Sequence, residues 1–299
     1  MNYVKTYEGN SQDPPNSRSP LRLTAAPTPH HHHPTEEFPK IMSCLPAHGR
    51  VSCNLCYSDA PVSFDQSRRE QEGWRITANP LAWGNTHAEV VVLGFSKGPT
   101  QSGALATTPH DAIAYKGRRH NVGRILEHVG LLALAPGELH RSAVDRLIVD
   151  RQGRFHFSSL IRCTVERQDS VSGQWKGTGG GMLDRFIKQP FGQDVTNRCV
   201  TQFLGALPSA TKLAVLFGLG TDLNYVRSSL AVFSKARPGA WRKINNVSYT
   251  DEKLVVVHVE HFASQGSLIP DWLGETDRSR KQLGLEARQA VHAANAANF

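Results

Sequence analysis

Cys53 and Cys56 stand two residues apart near the start of the apolar-rich part of this chain, and Cys163 and Cys199 lie far downstream. Two sulfurs on one turn and two on remote elements can serve a single metal centre only if the fold closes around all four. A C-x2-C pair is equally a zinc half-site, so at the level of spacing zinc and an iron–sulfur cluster both stay open. Free cysteines are also common as small buried apolar residues, and spacing alone leaves that reading standing. Cys44, the fifth, is followed by Leu-Pro-Ala-His, which points to no particular chemistry.

A chain of 299 residues can hold one large domain or two ordinary ones. No apolar run reaches the length of a membrane span, and the N-terminus lacks the basic start and apolar core of a secretory signal. The expectation is a cytoplasmic protein away from membranes, with reduced thiols, which favours metal over disulfides. Lys and Arg number 34 against 26 Asp and Glu. Within residues 1–40 the charges cancel, with Lys5, Arg18, Arg22 and Lys40 against Glu8, Asp13, Glu36 and Glu37. The net charge of +8 therefore belongs to the remainder, where a polyanion such as DNA or RNA would feel it. A merely basic protein fits the charge equally well.

Residues 1–40 are rich in Pro, Ser, Asn and Thr and carry a histidine run from His30 to His33. Such a segment cannot bury enough apolar surface to offset its ordering entropy, so it reads as a disordered tail with solvated histidines. Residues 41–299 read as one domain. Four short apolar, β-branched runs at 88–95, 155–162, 212–218 and 253–259 read as buried strands. Helical stretches at 121–134, 195–207 and 222–233 separate them, and 276–295 reads as a closing helix. This alternation predicts an α/β fold, a three-layer α/β/α sandwich around a central four-stranded, mainly parallel sheet. Residues 166–192, with Gly173, Gly177 and glycines at 179–181 among Lys176, Arg185 and Lys188, read as an inserted Gly-rich loop.

Open parallel sheets bind ligands at the carboxyl ends of their strands. The first strand runs into Gly94-Phe95-Ser96-Lys97-Gly98, a turn whose backbone N–H groups could face an anion or carbonyl oxygen. The second ends in Ser158-Ser159 and continues to Arg162-Cys163; the third ends in Phe217-Gly218-Leu219-Gly220; the fourth sets His261 at the pocket edge.

In this order the pieces resemble the uracil-DNA glycosylase superfamily, specifically its iron–sulfur branch found in bacteria and archaea. The corresponding pieces are Cys53/Cys56, the turn from Gly94 to Gly98, Tyr115-Lys116-Gly117, Arg124-Ile125-Leu126, Arg162-Cys163, Cys199, Leu216-Phe217-Gly218 and His261. The resemblance covers roughly residues 50–270. It implies a structural [4Fe–4S] cluster, rather than zinc, on Cys53, Cys56, Cys163 and Cys199. It implies a monomer acting on DNA, single- or double-stranded, that flips a base onto Tyr115 and contacts its edge from Gly94, Phe95, Gly98 and Ser159. His261 would donate to the departing base, and Lys116, Arg118 and Arg119 would contact phosphates.

The sequence also departs from the family. Phe95 stands where an acidic residue usually positions the attacking water, and Ser159 stands in place of the uracil-reading Asn. A serine hydroxyl makes a single-point contact where the amide makes two. Phe262-Ala263 replaces the Pro-Ser that follows the family's histidine, with Ser264 one place late. Asp111 is the nearest substitute acid in sequence. The function implied is excision of uracil or another damaged base; the alternative is a catalytically idle iron–sulfur nucleic-acid-binding protein on the same scaffold.

Overall fold

A computed structural model describes residues 44–57, 61–177 and 182–296, all within one compact unit, Pro39–Phe299. The tail expected to be disordered at 1–40 and the glycine run at 179–181 lie outside the described residues. The chain begins with four short strands, Gly49–Arg50 (β1), Arg68–Gln71 (β2), Trp74–Thr77 (β3) and Leu81–Gly84 (β4). Val90–Gly94 (β5) leads through Pro99–Ser102 (α1), His110–Ile113 (α2), Arg119–His128 (α3) and His140–Val149 (α4) to Phe155–Ser159 (β6). Thr164–Gln168 (β7), Trp175–Gly177 (β8), Met182–Phe186 (α5) and Pro190–Leu204 (α6) precede Leu213–Phe217 (β9). Asn224–Ala236 (α7), Arg242–Asn245 (β10), Ser248–Thr250 (β11) and Val255–Val259 (β12) follow, then Leu268–Leu273 (α8) and Arg280–Ala296 (α9).

The four apolar runs pair in parallel in the order β6-β5-β9-β12. Val91, Val92 and Leu93 are fully buried, as a strand covered on both faces requires. The sheet is wider than the expected four strands. It has eight, because antiparallel strands cover both edges of the parallel core: β4 and β1 beyond β6, β11 and β10 beyond β12. Uncovered edges would leave rows of unpaired backbone groups. These edge strands are two to four residues long and carry no long apolar run, so local pattern hides them.

Between β5 and β6 the chain crosses by α3 and α4, whereas between β6 and β9 it crosses by α5 and α6 to the other side of β5. Right-handed crossovers in opposite directions put the two helix groups on opposite faces. α3, α4, α8 and α9 pack in one group, and α5, α6 and α7 in the other. The chain therefore diverges between β5 and β9, which makes their carboxyl ends the crevice of the sheet.

The stretch 166–192 is not a loop. It holds the end of β7, all of β8 and α5, and the start of α6, and β7 and β8 complete a second antiparallel sheet in the order β2-β3-β7-β8. That sheet is assembled from charge and aromatic pairs that apolar periodicity does not reveal. Arg75 stands opposite Glu166 and bonds it at 2.7 Å, and its guanidinium also lies over Trp175. Beneath the sheet Trp74, Ile76, Ile161, Val165, Phe186, Phe191 and Val195 form a second apolar core. Helix bounds shift as well: α3 stops at His128 because Gly130 adopts a left-handed φ of +80°, and α6 begins early at Pro190, a residue suited to a first helical turn. Among the described residues no helix is long and apolar enough to cross a membrane.

His258, on β12, is fully buried and bonds the Gly218 carbonyl through Nδ1 at 2.9 Å. Burial pushes its pKa down from 6.5 to about 4. The folded form thus keeps His258 neutral where the unfolded chain would protonate it, so its contribution is present above pH 6.5 and is lost as pH falls towards 4. At about 1.4 kcal/mol per pKa unit, the loss from this residue is on the order of 3 kcal/mol. Urea titrations between pH 7 and 4 should show it, and His258→Gln should flatten that part of the profile.

Candidate active site

A cavity of about 680 Å³ opens at the carboxyl ends of β5, β6, β9 and β12. The turn 94–98, Tyr115, Ser159, the turn after β9 and residues 260–264 all line it. Six of the seven residues expected at the site, Gly94, Phe95, Gly98, Tyr115, Ser159 and His261, therefore share one space. The seventh, Asp111, does not line it. Its carboxylate meets His48 Nε2 at 2.6 Å. His48 Nδ1 accepts the Gly84 N–H, which leaves Nε2 as the ring nitrogen that meets Asp111. His48, His110 and Asp111 bring three potential metal-ligand atoms within 4.8 Å of one another.

Phe95 is where it is for a packing reason. Its ring lies against both apolar cores, edge-on to Phe186 at 6.4 Å and to Tyr225 at 6.5 Å. A carboxylate there would be driven into apolar surroundings without a partner. The turn's Gly94 and Phe95 carbonyls accept the Leu160 and Ile161 N–H groups, which fixes the turn to the end of β6. Tyr115 has a left-handed φ of +54°, rare for an aromatic residue, and its ring is packed edge-on by Phe157, Phe217 and Phe262. Its hydroxyl is buried with no hydrogen-bond partner among the described residues, and burial pushes its pKa up.

His261 Nδ1 accepts the Ala263 N–H at 3.2 Å, which leaves the proton of the neutral ring on Nε2 as a donor. Burial holds its pKa below the ordinary value, so the neutral form is favoured. The ring stacks on Phe262 at 4.4 Å, and Asn121 on α3 bonds the Phe262 carbonyl at 3.0 Å. Glu260, 2 % exposed, organises the loop: one carboxylate oxygen accepts the His261 N–H and the Ser264 hydroxyl, the other accepts Arg280 at 2.6 Å. Sequence reasoning missed Glu260, Asn121 and Arg280. An acid directly after the valine-rich strand Val255–Val259 was the available signal for the first, whereas nothing local marks the other two. Of the residues expected to meet phosphates, Lys116 and Arg118 are exposed beside the cavity. Arg119 is instead occupied, bonding Asp145 and the carbonyls of Ala114 and Asp111.

The second site is a small cavity lined by Cys53, Cys56, Cys163 and Cys199 together. The C-x2-C loop is pinned by Arg69 and Arg198, which bond the Cys56 and Leu55 carbonyls and both hold Asp194. Burial and the neighbouring thiols push the pKa of Cys56 up, and burial first among several causes pushes that of Cys199 up to about 12. Two buried cations adjoin the cavity. Arg162, 1 % exposed, has its pKa pushed down to about 10 by burial, and two of its guanidinium nitrogens lack hydrogen-bond partners among the described residues. Lys97, 2 % exposed and pushed down to about 8, bonds the Arg162 carbonyl. Cys44 does not line this cavity.

No protein-family model matches the sequence, and no curated protein does either. Among solved structures, the crystal structure of wild-type SMUG2 from Pedobacter heparinus is similar at a TM-score of 0.35 and 15 % identity. The match covers 71 % of this chain and 78 % of that one. So loose an overlay fixes no residue equivalence.

The Glu260–Arg280 pair ties the histidine loop to α9. Arg280→Ala should leave a buried carboxylate oxygen unpaired and lower stability by about 1–3 kcal/mol. Chemical denaturation should register the loss, with Arg280→Lys recovering part of it.

Proposed function

We propose that the protein is a DNA glycosylase, hydrolysing the N-glycosidic bond of uracil or another damaged base flipped out of DNA. The observation that carries this reading is the meeting of the 94–98 turn, Tyr115 and His261 around one cavity, the same three pieces whose order resembles the uracil-DNA glycosylase superfamily. A base entering the cavity would stack on Tyr115 and meet the Ser159 hydroxyl at its edge. As the glycosidic bond lengthens, negative charge grows on the base, and His261 Nε2–H is a fixed donor for it. Glu260 is saturated by hydrogen bonds and serves to hold that donor in place. Exposed Lys116 and Arg118 beside the opening suit DNA phosphates.

The four cysteines, on this reading, hold a [4Fe–4S] cluster. The donor set fits: four thiols line one cavity beside two buried cations, and thiolates on a metal would neutralise cations that neutral thiols leave uncompensated. Among the described residues no three of these sulfurs lie within 4.8 Å of one another, wider than the ~3.8 Å edge of a zinc tetrahedron with 2.3 Å bonds. The cluster's contribution would be structural, joining the C-x2-C loop to the end of β6 and to α6. A second reading, an idle nucleic-acid-binding protein, is favoured by Phe95 and Asp111, neither of which supplies an acid to the cavity.

Incubation with labelled DNA carrying uracil, hypoxanthine or xanthine should yield abasic sites. His261→Ala should reduce that yield by about 10²–10³-fold while leaving DNA affinity near wild type. No abasic sites from wild type on any lesion would transfer the case to the binding protein. Protein purified without oxygen should be brown, absorbing near ~400 nm as thiolate-ligated iron–sulfur centres do. Alanine at Cys53, Cys56, Cys163 or Cys199 should abolish the colour and Cys44→Ala should not; a colourless protein with stoichiometric zinc would refute the cluster.

A further inference from the structure

The 94–98 turn lacks its acid, yet the cavity has a second carboxylate besides Glu260. Asp222 lines it, in the turn that leaves β9 at the point where the crossovers diverge. Asp222 and Leu223 both adopt left-handed backbone conformations, at φ of +48° and +59°. Consecutive left-handed residues without glycine are costly, and leucine there is an outlier that the surroundings must impose. The turn is enforced from both sides. A Cβ on Gly220 would overlap Asn224, and the Asp222 carbonyl accepts Arg227 at 2.6 Å. Asp222 is exposed, and its carboxylate has no hydrogen bond or ion pair among the described residues, whereas both oxygens of Glu260 are taken.

We propose that Asp222 is the carboxylate that faces the sugar in the reaction proposed above. The glycosidic C1′–N bond breaks and its electron pair leaves with the base, which His261 stabilises by hydrogen bonding and which takes a proton from solvent. Asp222 stabilises the positive charge left on the sugar ring and orients a water. That water forms the C1′–O bond and passes a proton to Asp222 and on to solvent. Donor and carboxylate then come from different strands, β12 and β9, so the work of the missing acid moves from the β5 turn to its neighbour across the crevice.

This inference rests on the glycosylase reading, and its test keeps the two apart. Asp222→Asn should keep the fold, because asparagine tolerates left-handed backbone. Asp222→Gly should be at least as stable, because glycine relieves the strain. Both should cut base excision by about 10²–10⁴-fold, the range for a lost acid–base group, with DNA affinity unchanged. A second readout needs no turnover. Wild type should bind DNA carrying a cationic pyrrolidine in place of the sugar about tenfold or more tighter than DNA carrying neutral tetrahydrofuran, from charge attraction at contact distance. Both variants should lose that preference. Variants that retain it, or a wild type that lacks it, overturn the role of Asp222. Absence of excision by wild type overturns the glycosylase reading, while the pyrrolidine comparison still decides whether Asp222 faces the sugar.

Discussion

The position of β5 between β6 and β9 sets everything that follows. Its backbone is shared by parallel pairing on both sides, so the chain must leave it in one direction and return to its far side. Two right-handed crossovers of opposite travel cannot cover the same face, and the loops at the ends of β5 and β9 therefore part. The opening between them is the cavity. Fully buried Val91, Val92 and Leu93 make that pairing rigid, since each side chain fills space on a face covered by helices.

Around that opening, polar groups are fixed by partners that do not themselves enter it. Glu260 orders the histidine loop, Arg280 neutralises Glu260, and Asn121 holds the Phe262 carbonyl. Gly284, where a Cβ would overlap the Trp272 carbonyl, lets α9 lie close on α8, four residues after Arg280. The packing of the last helix is thereby transmitted to the imidazole. On the other side of the sheet end, Lys97 joins the cavity to the cysteine site by bonding the Arg162 carbonyl. Arg162 in turn presents its N–H to Cys199 at 3.4 Å and its guanidinium to Ser158 at 2.6 Å. The two sites thus share one short strand end.

The central strands and the four helices α3, α6, α7 and α9 were legible because burial on both faces, or on one helical face, writes itself into consecutive residues; α1, α2, α4, α5 and α8 were not. The second sheet was not. Its strands are stabilised by Arg75 with Glu166 and Trp175, contacts between residues about ninety to a hundred positions apart, and its glycines resembled a loop. The edge strands were hidden by shortness: β1 spans two residues, and β4, though wholly buried, only four.

By itself the sequence determined the four-strand parallel core, the motif order, and the set of residues available for chemistry, because these follow from local composition and spacing. Tertiary structure alone decided which of them meet. It took Asp111 away to His48, set Phe95 between two apolar cores, and consumed Arg119 in holding its own turn. It also brought Asp222, unremarkable in sequence, to the crevice that His261 lines. The reason is physical: a side chain's partners are set by which strands diverge and which faces close, and no local pattern of residues encodes that.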